Sequence, residues 1–132
     1  MLDTNMVIYI RSGRKLVIER FEALNPGEAV MSVISYGELL FGVERSGSRE
    51  RARSILDRVV ALLPIEKLPL TAAAHYAEIR SDLARQGEII GGNDLWIAAH
   101  ARSARLTLVT NNEREFLRVP GLSVENWAVE AA

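Results

Sequence analysis

Apolar positions along the chain follow two rhythms that take turns. Val30-Met31-Ser32-Val33-Ile34 and Leu106-Thr107-Leu108-Val109 are short, rich in branched residues and nearly unbroken in hydrophobicity, as a buried strand requires. Pro64-Ile65-Glu66-Lys67-Leu68 and Leu122-Ser123-Val124 are weaker versions of the same pattern. Between them the spacing lengthens. Ala52, Ile55, Leu56, Val59, Val60 and Leu63 share one helical stripe, and Tyr76, Ile79 and Leu83 share another on a helix opening at Thr71. Met6 to Ile10 begin a third helical stretch, while Gly87 to Gly92 read as a turn. Strands alternating with helices predict βαβ crossovers, and so an α/β fold with a mostly parallel sheet and helices on both of its sides. No repeat, low-complexity tract or linker-like stretch interrupts the pattern, so one domain over residues 1–132 is expected.

Ligand sites in such sheets lie outside the carboxyl ends of the strands. Asp3 follows Leu2 and precedes a helical stretch, Glu38 lies four residues beyond Ile34, and Asp94 stands at a helix start marked by Gly91, Gly92 and Asn93. A fourth junction, after Leu108-Val109, carries Thr110-Asn111-Asn112-Glu113-Arg114-Glu115-Phe116. A parallel sheet brings all four to one edge. Two carboxylates ~4 Å apart repel by about 4 kcal/mol at an effective dielectric of 20, so a cluster of three calls for a cation. Oxygen donors suit Mg²⁺ or Mn²⁺, either of which can polarise a phosphoryl oxygen and activate water. Each acid also has a purely structural use: Ser35-x-x-Glu38 has the form of a capping box, Asp3 can cap the first helix, and Asp94 suits a helix's first turn. Scarcity favours the site, because the chain has four aspartates, Asp3, Asp57, Asp82 and Asp94, and two of them fall at these junctions.

Composition narrows the classes. A chain of 132 residues, 48% hydrophobic and 25% charged, is an ordinary globular one, and its lack of cysteine excludes disulfides and thiolate metal sites. No segment reads as a signal peptide or as the ~18 uncharged apolar residues of a membrane span, so a cytoplasmic protein without a membrane role is expected. A net charge of −1 leaves no bulk attraction for nucleic acid, so any such contact must be local. Arg45, Arg49, Arg51, Arg53 and Arg58 are interleaved with Glu44, Glu50 and Asp57, which favours a solvated helix face with internal ion pairs over an RNA patch. His75 and His100 sit in helical patterns without a zinc motif, and neither a nucleophile elbow nor a phosphate-binding loop is present. Asp3-Thr4-Asn5 lacks the second aspartate of an aspartyl-phosphate phosphatase, since Asn5 occupies that place. Trp96 and Trp127 read as core or interface anchors.

At these junctions the chain resembles the PIN-domain family, and within it the VapC toxins of type II toxin-antitoxin pairs. The resemblance is carried by Leu2-Asp3-Thr4-Asn5, by Ser35-Tyr36-Gly37-Glu38-Leu39-Leu40-Phe41-Gly42, by the run from Ile90 to Ala101 around Asp94, and by Leu108-Val109-Thr110-Asn111-Asn112 with Glu115-Phe116. Arg80, Leu83 and Gly87 also match the approach to the third acid. The resemblance implies a three-layer α/β/α PIN-like fold and a Mg²⁺- or Mn²⁺-dependent endoribonuclease acting on RNA, with tRNA among the family's substrates. It implies metal ligation by Asp3 and Asp94, completion of the site by Glu38, and support from Thr110, Asn112 and Asn5. It also implies a VapB-like antitoxin partner and a homodimer. Two departures stand out: the family's frequent fourth acid falls at Asn112, unless Glu113 or Glu115 replaces it, and almost no first strand precedes Asp3. The missing acid keeps open a non-catalytic subunit of a DNA-binding repressor complex, with an RNA-maturation nuclease as a third reading.

Overall fold

The computed structural model describes residues 1–130; residues 131 and 132, included in the single-domain expectation, lie outside the described residues. The chain runs α1 (Thr4–Ser12), α2 (Lys15–Glu22), β1 (Met31–Ser32), α3 (Val33–Glu44), α4 (Arg49–Leu62), β2 (Ile65–Glu66), α5 (Ala72–Arg85), α6 (Gly92–Ser103), β3 (Leu108–Val109), α7 (Glu113–Phe116) and β4 (Val124–Glu125). The sheet is parallel throughout. Met31 of β1 pairs with Ile65 of β2, and Leu108 of β3 pairs with Val124 of β4. Leu2 joins the two pairs through parallel bridges to Met31 and to Val109, which gives the order β2, β1, Leu2, β3, β4. The first strand is thus a single bridging residue, fixed by bonds from Leu2 N to Val30 O at 2.8 Å and from Asp3 N to Val109 O at 3.0 Å.

Alternation of side chains across the sheet creates two cores. Met1, Val30 and Leu108 face one cluster with Ile79, Leu83 and Phe116, while their neighbours Leu2, Met31 and Val109 face the other with Met6, Leu39 and Leu56. Successive strand residues point to opposite faces, so each short strand serves both cores. Helices α5 and α6 cover one side and α1, α3 and α4 the other, which produces the three expected layers. Helix α6 is buried over most of its length, from Leu95 through Ala101. Gly87, at φ +68, turns the chain out of α5 in the left-handed region open to glycine.

The strands are shorter than the apolar runs suggest. Val33 and Ile34 belong to α3, because the Ser32 side chain accepts a bond from Ile34 N at 3.1 Å and caps the helix there. The expected Ser35 capping box is therefore replaced by a cap three residues earlier. Ser35 lies inside α3 with its hydroxyl buried and unpartnered among the described residues. Leu106 belongs to the exit from α6, its N–H bonded to Ala101 O at 2.9 Å, so β3 begins at Leu108. Among the described residues no helix is long and apolar enough to cross a membrane.

Candidate active site

Four segments reach the carboxyl edge of the sheet, and each delivers an acid or its support. Leu2 ends as the central strand, so Asp3 becomes the N-cap of α1, with Oδ1 accepting from Met6 N at 3.0 Å. Its other oxygen, Oδ2, accepts from Thr110 Oγ1 at 2.5 Å, at the end of β3. The capping role and a place at the sheet edge thus coincide in one residue. Asp3 is only 5% exposed, and burial raises its pKa; the Thr110 and Met6 bonds pull the other way and the charge of Glu38 adds to the rise.

Glu38 sits between one and two turns into α3 and is held by Thr4, whose hydroxyl donates to Oε1 at 2.9 Å. Asp94 lies in the first turn of α6, and its carboxyl is pushed up to about 6. Burial is the largest cause; the charges of Glu115, Glu38 and Asp3 and a shared hydrogen bond with Glu115 follow. The four carboxyls therefore sense one another. Asp94 is the centre of that coupling.

The fourth acid is Glu115. Helix α7 is a single turn, and it directs Glu115 toward Asp94, while Asn112 donates from Nδ2 to Glu115 Oε2 at 2.9 Å. Asn112 is itself fixed by its N–H, which donates to Thr110 Oγ1 at 2.9 Å. Thr110, fully buried, thus links Asp3 to Asn112, and Asn112 links onward to Glu115. Asn5 directs its backbone N–H to Asp3, while its side chain is exposed. Thr4, one residue earlier, makes a side-chain contact to Glu38 that the sequence did not single out. Its position directly after Asp3, as the first residue of α1, was the only sequence signal for it.

A pair of buried polar groups sets α3 against α6. The Ser32 hydroxyl, already the cap of α3, meets His100 Nδ1 of α6 at 2.8 Å, and burial lowers the pKa of that imidazole. The histidine is a packing element of the core. His75 is likewise structural, accepting from Arg102 Nε at 2.8 Å. Trp96 stacks on Tyr76 with ring centroids 3.9 Å apart, and Trp127 is buried.

Charge coupling without protein counterions marks the acid cluster. Among the described residues no lysine or arginine pairs with Asp3, Glu38, Asp94 or Glu115. No three acidic or imidazole side chains among those residues already stand at coordination distances of one point. The edge thus offers an all-oxygen donor set, coupled by charge but not gathered. A hard divalent cation fits that chemistry: it would relieve the repulsion that raises Asp94 and would meet the oxygen ligands it prefers.

Comparison with known proteins gives matches over nearly the whole chain. The PIN domain model matches residues 1–122. Ribonuclease VapC2 of Haemophilus influenzae is 44% identical over 128 residues, covering 96% of each chain. The tRNA(fMet)-specific endonuclease VapC of Shigella flexneri is 43% identical over 129 residues, covering 97% of each. A crystal structure of VapBC2 from Rickettsia felis bound to a promoter DNA fragment superposes with a TM-score of 0.91 at 38% identity, covering 96% of this chain and 97% of that one. A DNA-bound VapBC from Salmonella typhimurium gives 0.90 at 38%, covering 96% of each. The chain belongs to the PIN-domain family, in its VapC group. PIN domains of this group are divalent-metal proteins, in keeping with the oxygen donors at the edge.

Proposed function

We propose that the chain is the toxin of a type II toxin-antitoxin pair, a Mg²⁺- or Mn²⁺-dependent endoribonuclease that hydrolyses RNA phosphodiester bonds. The observation that carries this reading is the charge coupling of Asp94, raised to about 6, to Asp3, Glu38 and Glu115 along one sheet edge, with no lysine or arginine paired with them among the described residues. Asp3 and Asp94 would hold the cation, with Glu38 and Glu115 completing its surroundings. When bound, the ion supplies Lewis acidity toward a phosphoryl oxygen and stabilises the charge that develops there. Glu38, oriented by Thr4, is placed to take a proton from the attacking water. Thr110 aims Asp3 and offsets part of the rise that burial imposes on it, because its hydroxyl donates to that carboxylate.

The relative from Shigella flexneri, named a tRNA(fMet)-specific endonuclease and matched over nearly the whole chain, supports tRNA as the substrate class. The VapBC complexes among the solved structures support a VapB-type antitoxin as partner; a cytoplasmic location and a second copy of the chain in the assembly belong to the same proposal. The rival reading, a non-catalytic subunit, drew on the missing acid at Asn112. The coupling of Glu115 to Asp94 weakens that motive.

The test is cleavage of tRNA and of an unstructured RNA by wild type and Asp94→Asn, with Mg²⁺ or Mn²⁺ and with EDTA. Cleavage should require the metal and fall on the order of 10³-fold in the variant, whose circular dichroism stays that of wild type. Undiminished cleavage in EDTA or by Asp94→Asn would sink the metal mechanism.

A further inference from the structure

Beside the acids lies a row of polar side chains that the cleavage chemistry does not use. Asn111 follows Thr110 directly, so it stands one residue beyond the Asp3 contact at the end of β3. Its Nδ2 donates to the Tyr9 hydroxyl oxygen at 3.2 Å, and its Oδ1 accepts from Asn126 Nδ2 at 3.3 Å. Asn126, just past β4, has its own Oδ1 occupied by Ala128 N at 2.9 Å. Three elements thus each extend one side chain to a common rim. Tyr9, six residues after Asp3, lies about 9 Å along α1 from it.

The order of these bonds fixes the chemistry of the row. Ala128 N–H holds the oxygen of Asn126, which turns that amide's nitrogen toward Asn111; Asn111 in turn offers its nitrogen to Tyr9. Every oxygen in the row therefore already accepts a hydrogen bond. Each of those oxygens keeps a second lone pair, and one N–H on each amide and the phenolic O–H have no partner among the described residues, so the row can offer a ligand three donors. Arg14 adds a charge, its guanidinium 4.3 Å from the centre of the Tyr9 ring, and it is exposed. Glu125, the acid next to Asn126, is engaged by Trp127 Nε1 at 3.2 Å, and Glu113 lies two residues beyond Asn111.

We propose that Tyr9, Asn111, Asn126 and Arg14 bind a phosphodiester of the RNA backbone next to the one being cut. The proposal rests on the nuclease reading above. Phosphate oxygens only accept hydrogen bonds, so three free donors beside a guanidinium match them, and the charge of Arg14 favours an anion over a neutral base edge. The need for such a grip follows from charge. A chain of net charge −1 whose reacting edge is acidic repels the polyanion it must cut, and it requires local donors close to that edge.

The experiment compares wild type, Tyr9→Phe, Arg14→Ala and the double variant Asn111→Ala/Asn126→Ala in steady-state cleavage of two RNAs of different sequence, at two salt concentrations. All four side chains reach the surface, and thermal unfolding checks each variant's fold. The double variant should raise KM about tenfold on both RNAs with kcat unchanged. Tyr9→Phe should raise KM less, and Arg14→Ala should also flatten its dependence on salt. A methylphosphonate at the flanking position should weaken binding to wild type but add nothing to the loss in the double variant. Unmoved KM, a fall in kcat alone, or altered preference between the RNAs would overturn the proposal, the last in favour of base reading. Weakened neutralisation by the antitoxin with RNA kinetics intact would make the row a protein contact and overturn it too. Failure of wild type to cleave RNA would remove the nuclease reading itself, whereas normal cleavage with unmoved KM removes only this site.

Discussion

The four aspartates divide into two pairs that the fold treats in opposite ways. Asp57 and Asp82 lie on helix faces, each beside an arginine of its own helix: Arg53 Nε bonds Asp57 at 3.0 Å on α4, and Arg85 bonds Asp82 on α5. Asp3 and Asp94 sit at the sheet edge, more deeply buried than Asp57, with other carboxylates for company and no protein cation among the described residues. Exposed pairs of the first kind cost and contribute little. Charges of the second kind are destabilising until something neutralises them, so their retention marks a site of chemistry.

The sharpest way to break that contrast is a matched pair of substitutions. Asp94→Asn should abolish RNA cleavage, on the order of 10³-fold, whereas Asp57→Asn should leave it within about twofold of wild type. Equal effects would mean that the sheet edge has no special role. Next in size is Thr110→Val, which keeps the volume but removes the donor to Asp3 and the acceptor for Asn112 N. It should cost about 2 kcal/mol in denaturant unfolding, with Thr110→Ser recovering most of it. A loss below about 0.5 kcal/mol would show that the buried hydroxyl does not hold the two segments together.

The pH dependence of the metal-free protein sharpens the comparison further. Asp94 keeps its proton in the folded chain up to about pH 6, against a reference value of 3.8. Between those values the folded state binds more protons than the unfolded one. The stability tied to the protonated carboxyl is thus present at pH 4 and lost as pH rises through 6. In EDTA, Asp94→Asn should gain on wild type over that window, reaching about 1 kcal/mol by pH 7 after allowance for solvent screening. A flat difference between pH 4 and 7 would contradict the raised carboxyl, and Mg²⁺ should erase whatever difference appears. Smallest of all is the coupling between Arg53 and Asp57, where a double-mutant cycle should return about 0.3 kcal/mol.

Asp3 and Asp94 were legible in the sequence because a parallel α/β sheet makes its strand-to-helix junctions predictable and because aspartates are few. Glu38 was legible for the same reason, although its capping explanation named the wrong serine. An apolar run such as Val30 to Ile34 does not announce where strand becomes helix. Ser32 decides that by taking the N–H of Ile34, and branched residues then continue into α3. Glu115 stood as one of two alternatives to the acid absent at Asn112. Which of Glu113 and Glu115 faces Asp94 depends on the geometry of the single turn α7, a matter of one residue that periodicity cannot resolve in so short an element. Thr4 was hidden because its partner, Glu38, lies 34 positions away.

The one-residue central strand has a further consequence for how the protein comes into being. Leu2 must slide between Met31 and Val109 before Asp3 can receive the Thr110 hydroxyl, a closure across 107 positions of chain. Contacts this distant in sequence carry a large loop-closure cost and form late on a folding pathway. The segment around Leu2 and Asp3 is therefore among the last to find its place. A chain folded only as far as α6 lacks the Thr110 contact to Asp3 and the coupling of Glu115 to Asp94, so the acid edge exists only once segments from opposite ends of the fold have met.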